Sequence, residues 1–379
     1  MKLEFKRIIS SGTYIPAIDG LRFIAIFSVV LFHISCFISE KKQIINSKFS
    51  TFDFINKIIS HGYFGVSLFF IISGFILGIP FASFYLKNGS RVSLKKYFLR
   101  RLTRLEIPYA LTMTILLFGS VYVAKSLLFN EALKSYLASI VYMHNFTFPK
   151  TLPKLNTPVW SLEIEIQFYI LAPLLAHVFS IKSTKKRRSV LILIALFSLA
   201  INNYLSFSFL SIINFVHFFI IGFILSDLYV TNTVFLPNIN IDYKLVTTLF
   251  VVAWMFDKND FNSNFKIFLW ELFQLLAIFI FYYYVLFHNF FKFLSFKIIT
   301  NIGGMCYSIY LLHYPIISLF GNKLLKYSFS ENQTINNLFF TSIILIVILV
   351  ISSIFFLFVE RPCMDKDWIK KVYRWLKAN

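Results

Sequence analysis

Runs of about twenty apolar residues, interrupted by clusters of charge or of Pro, Asn and Gly, recur along almost the whole of this 379-residue chain. No other feature restricts its fold as much. In hydrocarbon every backbone amide and carbonyl must be paired within the structure, which leaves helices and closed barrels as the spanning forms. A barrel would show segments of roughly ten residues with alternating polarity, whereas these runs are continuous and as long as a helix needs to cross a bilayer. Composition agrees, with 58% apolar, 20% aromatic and 14% charged residues and a mean hydropathy of +0.73, values outside the range of soluble domains. The expected fold is all-α, a polytopic transmembrane helical bundle. Candidate spans lie near 17–38, 62–84, 105–127, 159–181, 189–205, 208–228, 244–257, 266–289, 299–321 and 336–358, about ten in all. A single membrane domain is expected over 1–379, because no hydrophilic stretch is long enough for an appended soluble domain and no internal repeat is evident. The first run is too long for a signal-peptide core and lacks a small-residue cleavage site, so it is expected to remain as the first span.

A formal net charge of +20 would point to nucleic acid in a soluble chain, but here Lys and Arg concentrate in the loops, where the positive-inside rule accounts for them. Nucleic acid is not an expected partner. With the N-terminus in the cytoplasm, the internal side receives Lys2, Lys6 and Arg7, the seven basic residues from Lys87 to Arg104, the Lys182 to Arg188 stretch, Lys292, Lys297 and the basic C-terminal tail. Counted this way, about two thirds of the 37 Lys and Arg fall inside, so both termini are expected on the cytoplasmic face of a bacterial inner membrane. Cys36, Cys306 and Cys363 show neither paired nor ligand spacing, and the seven histidines are scattered, so no metal is expected.

Ionisable residues inside the runs carry the functional reading, since such groups are costly in hydrocarbon. Arg22 and His33 are eleven residues apart with only Ser28 polar between them. That spacing is about three helical turns with roughly 20° left over, and covers about 16 Å, so both share one face. Arg22 can snorkel to the interface as an anchor, while His33 lies too deep for that; it is either a packed core histidine or a general base. Asp19 precedes the first span and can cap it. The segment from Gly62 to Phe75, which includes Ser73, interleaves small with aromatic residues, the pattern of close helix packing or of a ligand groove. Arg101 and Arg104 stand one turn apart at the cytoplasmic edge, as ordinary loop charge or as guanidinium forks for a phosphate-bearing ligand. Glu163 can complement its own helix dipole; Glu165, one turn from Tyr169, is the better candidate to orient a base or hold an acceptor hydroxyl. His313 is a second intramembrane histidine, either a satisfied core residue or a neighbour of the same cavity.

At these residues the sequence resembles the acyltransferase 3 family of membrane O-acyltransferases. The resemblance rests on Asp19-Gly20-Leu21-Arg22 with His33, Gly65-Val66 through Ser73-Gly74-Phe75, Arg101 and Arg104 followed by Pro108, Trp160-Ser161-Leu162 with Glu165, Tyr307 to His313, and Glu360-Arg361-Pro362. It departs at Ser67, where many members carry Asp, and at Glu106, which interrupts an apolar position. The resemblance implies transfer of an acyl group, usually acetyl, from cytoplasmic acyl-CoA as donor substrate to a hydroxyl of a surface carbohydrate or its lipid-linked precursor, with no permanently bound cofactor. It implies His33 as the catalytic histidine with Arg22 its motif partner, Arg101 and Arg104 near the CoA phosphates, and Glu165 as the associated acid. His33 would then deprotonate the acceptor or carry the acyl group. The alternative from residues alone is a transporter of a lipid-linked sugar or anion, although the repeated halves common in transporters are not seen.

Overall fold

The computed structural model describes residues 5, 7–8, 14–42, 53–233, 242–288, 290–327, 330–365 and 368. Lys2, Lys6 and the basic residues of the tail beyond 365, which contributed to the charge argument, lie outside the described residues. In chain order the helices are α1 (Pro16–Lys42), α2 (Asp53–Ser60), α3 (Gly65–Lys87), α4 (Leu94–Phe118), α5 (Phe129–Ile140), α6 (His144–Thr147), α7 (Trp160–Leu175) and α8 (Thr184–Tyr204). They continue with α9 (Val216–Thr231), α10 (Tyr243–Met255), α11 (Asn264–Phe287), α12 (Lys297–Gly304), α13 (Cys306–Leu324), α14 (Gln333–Phe355) and α15 (Arg361–Cys363). Among the described residues there is no strand.

Every expected span coincides with a helix, but length and apolarity qualify fewer of them as crossings. Six helical segments are long and apolar enough to cross a membrane, or seven if α12 and α13, bent by 70° at Met305, count as one. The expectation of about ten is therefore not reached on this criterion. The shortfall falls on α8, whose first turns carry Lys185, Lys186, Arg187 and Arg188, and on α9 and α10, which are only 16 and 13 residues long. Serine marks several entries into helices from the aqueous side: Ser93, Ser183 and Ser263 each accept the amide N–H three residues on, at the starts of α4, α8 and α11.

The small residues of the Gly62 to Phe75 segment serve close packing. A Cβ on Gly74 would collide with the Phe219 carbonyl and one on Gly222 with the Ile71 carbonyl, so α3 and α9 touch backbone to backbone. Around this crossing Phe168 stacks on Phe219 at 3.9 Å between ring centres, joining α7 to the same core. On the other side α1 lies against α12, where Gly303 lets the Asp19 carbonyl approach.

Part of the charge read as loop charge is structural. Arg187, 1% exposed, pairs with the fully buried Asp227 of α9, and donates from Nη1 to the Ile181 carbonyl at 2.8 Å. Arg188 reaches the second Asp227 oxygen at 2.8 Å. Other basic residues meet the ends of neighbouring helices. Lys182 Nζ donates to the Tyr85 carbonyl at 3.0 Å near the end of α3, and Arg7 pairs with Asp19 at the start of α1.

Candidate active site

A cavity of about 1160 Å³ runs between α1, α3, α4, α7 and α13, larger than the roughly 300–1,000 Å³ of ordinary ligand pockets. Both Tyr63, just before α3, and Lys87, its last residue, line it, so it follows that helix for about 36 Å at 1.5 Å per residue. One end is basic, with Lys87, Arg91, Lys96, Arg100, Arg101 and Arg104 in its wall. The wall near His33 is aromatic, with Phe32 against it and Tyr63 against Phe32.

The expected site residues fall into three groups along this cavity. Arg22, Arg101 and Arg104 line the basic end, together with Arg7, which sequence reading had treated only as loop charge. Asp19 does not precede its helix as a cap. It lies within the first turn of α1, and its carboxylate receives Arg22 at 2.8 Å and Arg7 at 3.1 Å. A side chain beyond the helix start was thus drawn in by two guanidinium groups. Burial, and after it the charge of Arg22, pulls the Arg7 guanidinium down to about 10, with Asp19 opposing the shift; it stays charged at neutral pH. Arg104 Nε is buried without a hydrogen-bond partner among the described residues, a donor of the kind an anion satisfies. Arg101 is held by Tyr97: its guanidinium sits 4.0 Å from that ring's centre and 5.3 Å from the Tyr169 ring, and it donates to the Tyr97 carbonyl at 3.2 Å.

The middle of the cavity holds Glu165. Its Oε1 accepts from both Ser73 Oγ and Tyr169 OH at 2.5 Å, which fixes the carboxylate on the wall. All three line the cavity. On the α3 side Ser73, which binds Glu165, and Tyr63, whose ring meets that of Phe32 beside His33, are ten residues apart, roughly 15 Å along a helix. Glu163 faces away from the cavity; from its place in the first turn of α7 it also accepts the Asn145 N–H at 3.1 Å, capping the neighbouring α6. At His144, the first residue of α6, burial lowers the imidazole pKa.

His33 lies at the aromatic end, with ring contacts to Phe32 at 5.1 Å, Tyr314 at 5.3 Å and His313 at 5.2 Å. His313 itself is fully buried and does not line the cavity. The segment that carries it is anchored on both sides. Tyr307 OH donates to the Leu105 carbonyl at 2.9 Å and Tyr310 OH to that of Pro158 at 2.7 Å. Asn156 Nδ2 donates to the Leu311 carbonyl at 2.9 Å, and Glu360 accepts from Ser308 N and Oγ. The Tyr307 to His313 and Glu360 motifs therefore meet one another in space. Glu106, the apolar-position departure, accepts from Tyr142 OH at 2.6 Å.

Sequence spacing did not suggest one further group. His61, Asp257 and Asp260, with His61 and Asp257 nearly two hundred residues apart, bring ligand-type atoms within 4.8 Å of one another. Both carboxylates have local work, since Asp257 and Asp260 form a reciprocal capping box and Asp257 also accepts from Tyr63 OH at 2.7 Å.

Fold and cavity together define a multi-pass helical membrane protein built around one long chamber, basic at one end and histidine-bearing at the other. The chain belongs to the acyltransferase family described as the acyltransferase domain of the acyltransferase 3 type, which it matches over residues 15–357. It is 27% identical over 346 residues to O-acetyltransferase OatA of Staphylococcus aureus strain NCTC 8325, an alignment covering 83% of this chain and 53% of that protein. It is 28% identical over 181 residues to peptidoglycan O-acetyltransferase OatA of Listeria monocytogenes, covering 45% of this chain and 25% of the relative. A putative O-acetyltransferase of S. aureus strain COL is 26% identical over 172 residues, covering 43% and 24%. The chain thus spans about half the length of the first of these relatives, and less of the others. No solved structure matches.

Proposed function

We propose that this chain is a membrane O-acetyltransferase that moves an acetyl group from cytoplasmic acetyl-CoA to a hydroxyl of a cell-surface polysaccharide or its lipid-linked precursor. The observation that carries the reading is the single cavity that joins the guanidinium groups of Arg22, Arg101 and Arg104 to His33. Family membership and relatives that bear the name O-acetyltransferase support it. The CoA phosphates dock on Arg101, Arg104 and Arg22 from the cytoplasm, with Arg7 beside them. The flexible pantetheine arm passes Glu165, whose carboxylate is oriented by Ser73 and Tyr169 to accept from an amide N–H of that arm. The thioester then lies near His33, about 16 Å up α1 from Arg22. His33 takes the proton of the acceptor hydroxyl as its oxygen attacks the thioester carbonyl; the C–S bond breaks and the thiolate recovers that proton, giving the ester and CoA. The aromatic rings at this end offer flat faces to a sugar. In this orientation the basic end faces the cytoplasm of a bacterial inner membrane, and both termini lie on that side.

The test is base-labile O-acetyl ester on envelope carbohydrate from cells that express the chain, its His33→Ala variant at matched membrane level, or neither. Ester only with the unmodified chain is expected. Equal ester in all three, with a change only in the amount of glycan when the chain is absent, would overturn the enzyme reading in favour of transport of a lipid-linked sugar.

A further inference from the structure

His313 is half satisfied. Its Nδ1 lies 2.8 Å from the Tyr310 carbonyl and 3.0 Å from that of Ile309; carbonyls only accept, so Nδ1 carries the proton and Nε2 presents a bare lone pair. Nε2 is buried and has no hydrogen-bond partner among the described residues. A buried acceptor in that state calls for a donor. The His33 ring, 5.2 Å away between centroids and tilted by 45°, is the polar ring beside it, and His33 makes no side-chain hydrogen bond among the described residues. The other rings against His33, those of Phe32 and Tyr314, meet it at their edges or faces.

From this arrangement we infer that His313 is a positioning residue for His33: its Nε2 accepts the N–H of one His33 nitrogen, which leaves the other unprotonated and turned to the cavity. The inference rests on the acyl-transfer reading for its role in turnover, but the hydrogen bond itself does not. The contact needs the His33 ring to turn toward His313; bonds of this kind commonly tighten only with substrate bound. During transfer the acceptor hydroxyl gives its proton to the cavity-facing nitrogen of His33, and the imidazolium keeps donating its other N–H to His313. A cationic donor makes the stronger hydrogen bond, so the contact is worth more in the transition state than before it. When the thiolate takes the proton back, His33 returns to the same tautomer. The proton on His313 Nδ1 never moves, because two backbone carbonyls hold it. His313 thus stands where a carboxylate orients the histidine of a serine hydrolase, and its own place is set by the Tyr307, Tyr310 and Asn156 anchors of α13 and its neighbours.

Two measurements test this on the full chain. The first is envelope O-acetyl ester in cells with His313→Leu or His313→Gln at matched membrane level. Leu removes the acceptor and is expected to reduce ester about 100-fold, the lower end of what a positioned base supplies; Gln retains an acceptor oxygen and is expected to restore most of it. The second is the 15N spectrum of histidine-labelled protein in lipid, with the His33 signals assigned by their loss in His33→Ala. His33 is expected as a single tautomer in the unmodified chain and as a mixture in His313→Leu. Ester within roughly threefold of the unmodified chain in His313→Leu, or His33 signals unchanged by that substitution, would overturn the inference. Absence of ester even from the unmodified chain would overturn the proposed function instead, and the spectrum would still decide the hydrogen bond.

Discussion

Replacing Asp227 by Ala strips from two guanidinium groups the carboxylate that both pair with. Arg187 is 1% exposed and Asp227 fully buried, and Arg187 would keep only its backbone carbonyl partners, Ile181 and Lys182. Removing one member of a buried pair leaves an uncompensated charge and costs about 3–5 kcal/mol. Arg188, 15% exposed, can turn toward water, and Arg188→Ala is expected to cost about 1 kcal/mol, as for partly screened pairs. The double variant Arg187→Met with Asp227→Leu removes charge from both sides and should return to within about 1 kcal/mol of the unmodified chain, while Arg188 snorkels. The assay is reversible unfolding in mixed micelles of dodecyl maltoside and increasing SDS, followed by Trp fluorescence. An Asp227→Ala midpoint equal to that of the unmodified chain, or a double variant as unstable as the single one, would refute the reasoning that buried charge imbalance dominates this corner.

Arg101→Lys loses the planar stack on Tyr97 and Tyr169 and is expected to weaken acetyl-CoA binding about tenfold, or roughly 1.4 kcal/mol, in calorimetry on purified protein; unchanged affinity would remove Arg101 from the donor site. Tyr169→Phe and Ser73→Ala each leave Glu165 Oε1 one hydroxyl donor, and the double variant should lose more ester formation in cells than the two single losses combined, since neighbours in one network are not additive. Gly74→Leu drives a side chain into the Phe219 carbonyl; at least 1–3 kcal/mol of overpacking is expected, seen as loss of folded protein by size-exclusion profile, whereas Gly119→Leu, with open space around it, should leave the profile unchanged.

Periodicity was enough to place Arg22 and His33 on one face of α1, because that relation is local and follows from 3.6 residues per turn. The helical character of the other runs was legible for the same reason, and Arg101 and Arg104 could be expected at one edge. Depth was not legible: Glu165 and His33 line one cavity from different helices, and no pattern along α1 or α7 sets the offset between them. Nor could spacing foretell that Asp19 would gather Arg7 and Arg22, or that Arg187 would leave the surface for Asp227 forty residues on. Glu163, in the first turn of α7, also caps α6 by accepting the Asn145 N–H. Except for Arg22, which shares α1 with Asp19, the partner in each case lies outside the helix that carries the residue, and a pattern of residues along one helix carries no information about what packs beside it.

The contact between α3 and α9 also sets where this chamber can change. With carbonyl groups pressed against Gly74 and Gly222, and Ser226 against Gly78, three positions of the scaffold admit no side chain, and the backbone path of α3 beside the cavity is held by that crossing. Alterations that suit the chamber to a different donor or acceptor are then most easily drawn from α4, the start of α7 and α13, where Arg104, Trp160 and Tyr310 meet the cavity through long side chains. A library intended to change the substrate should randomise those positions and leave the glycine crossing alone.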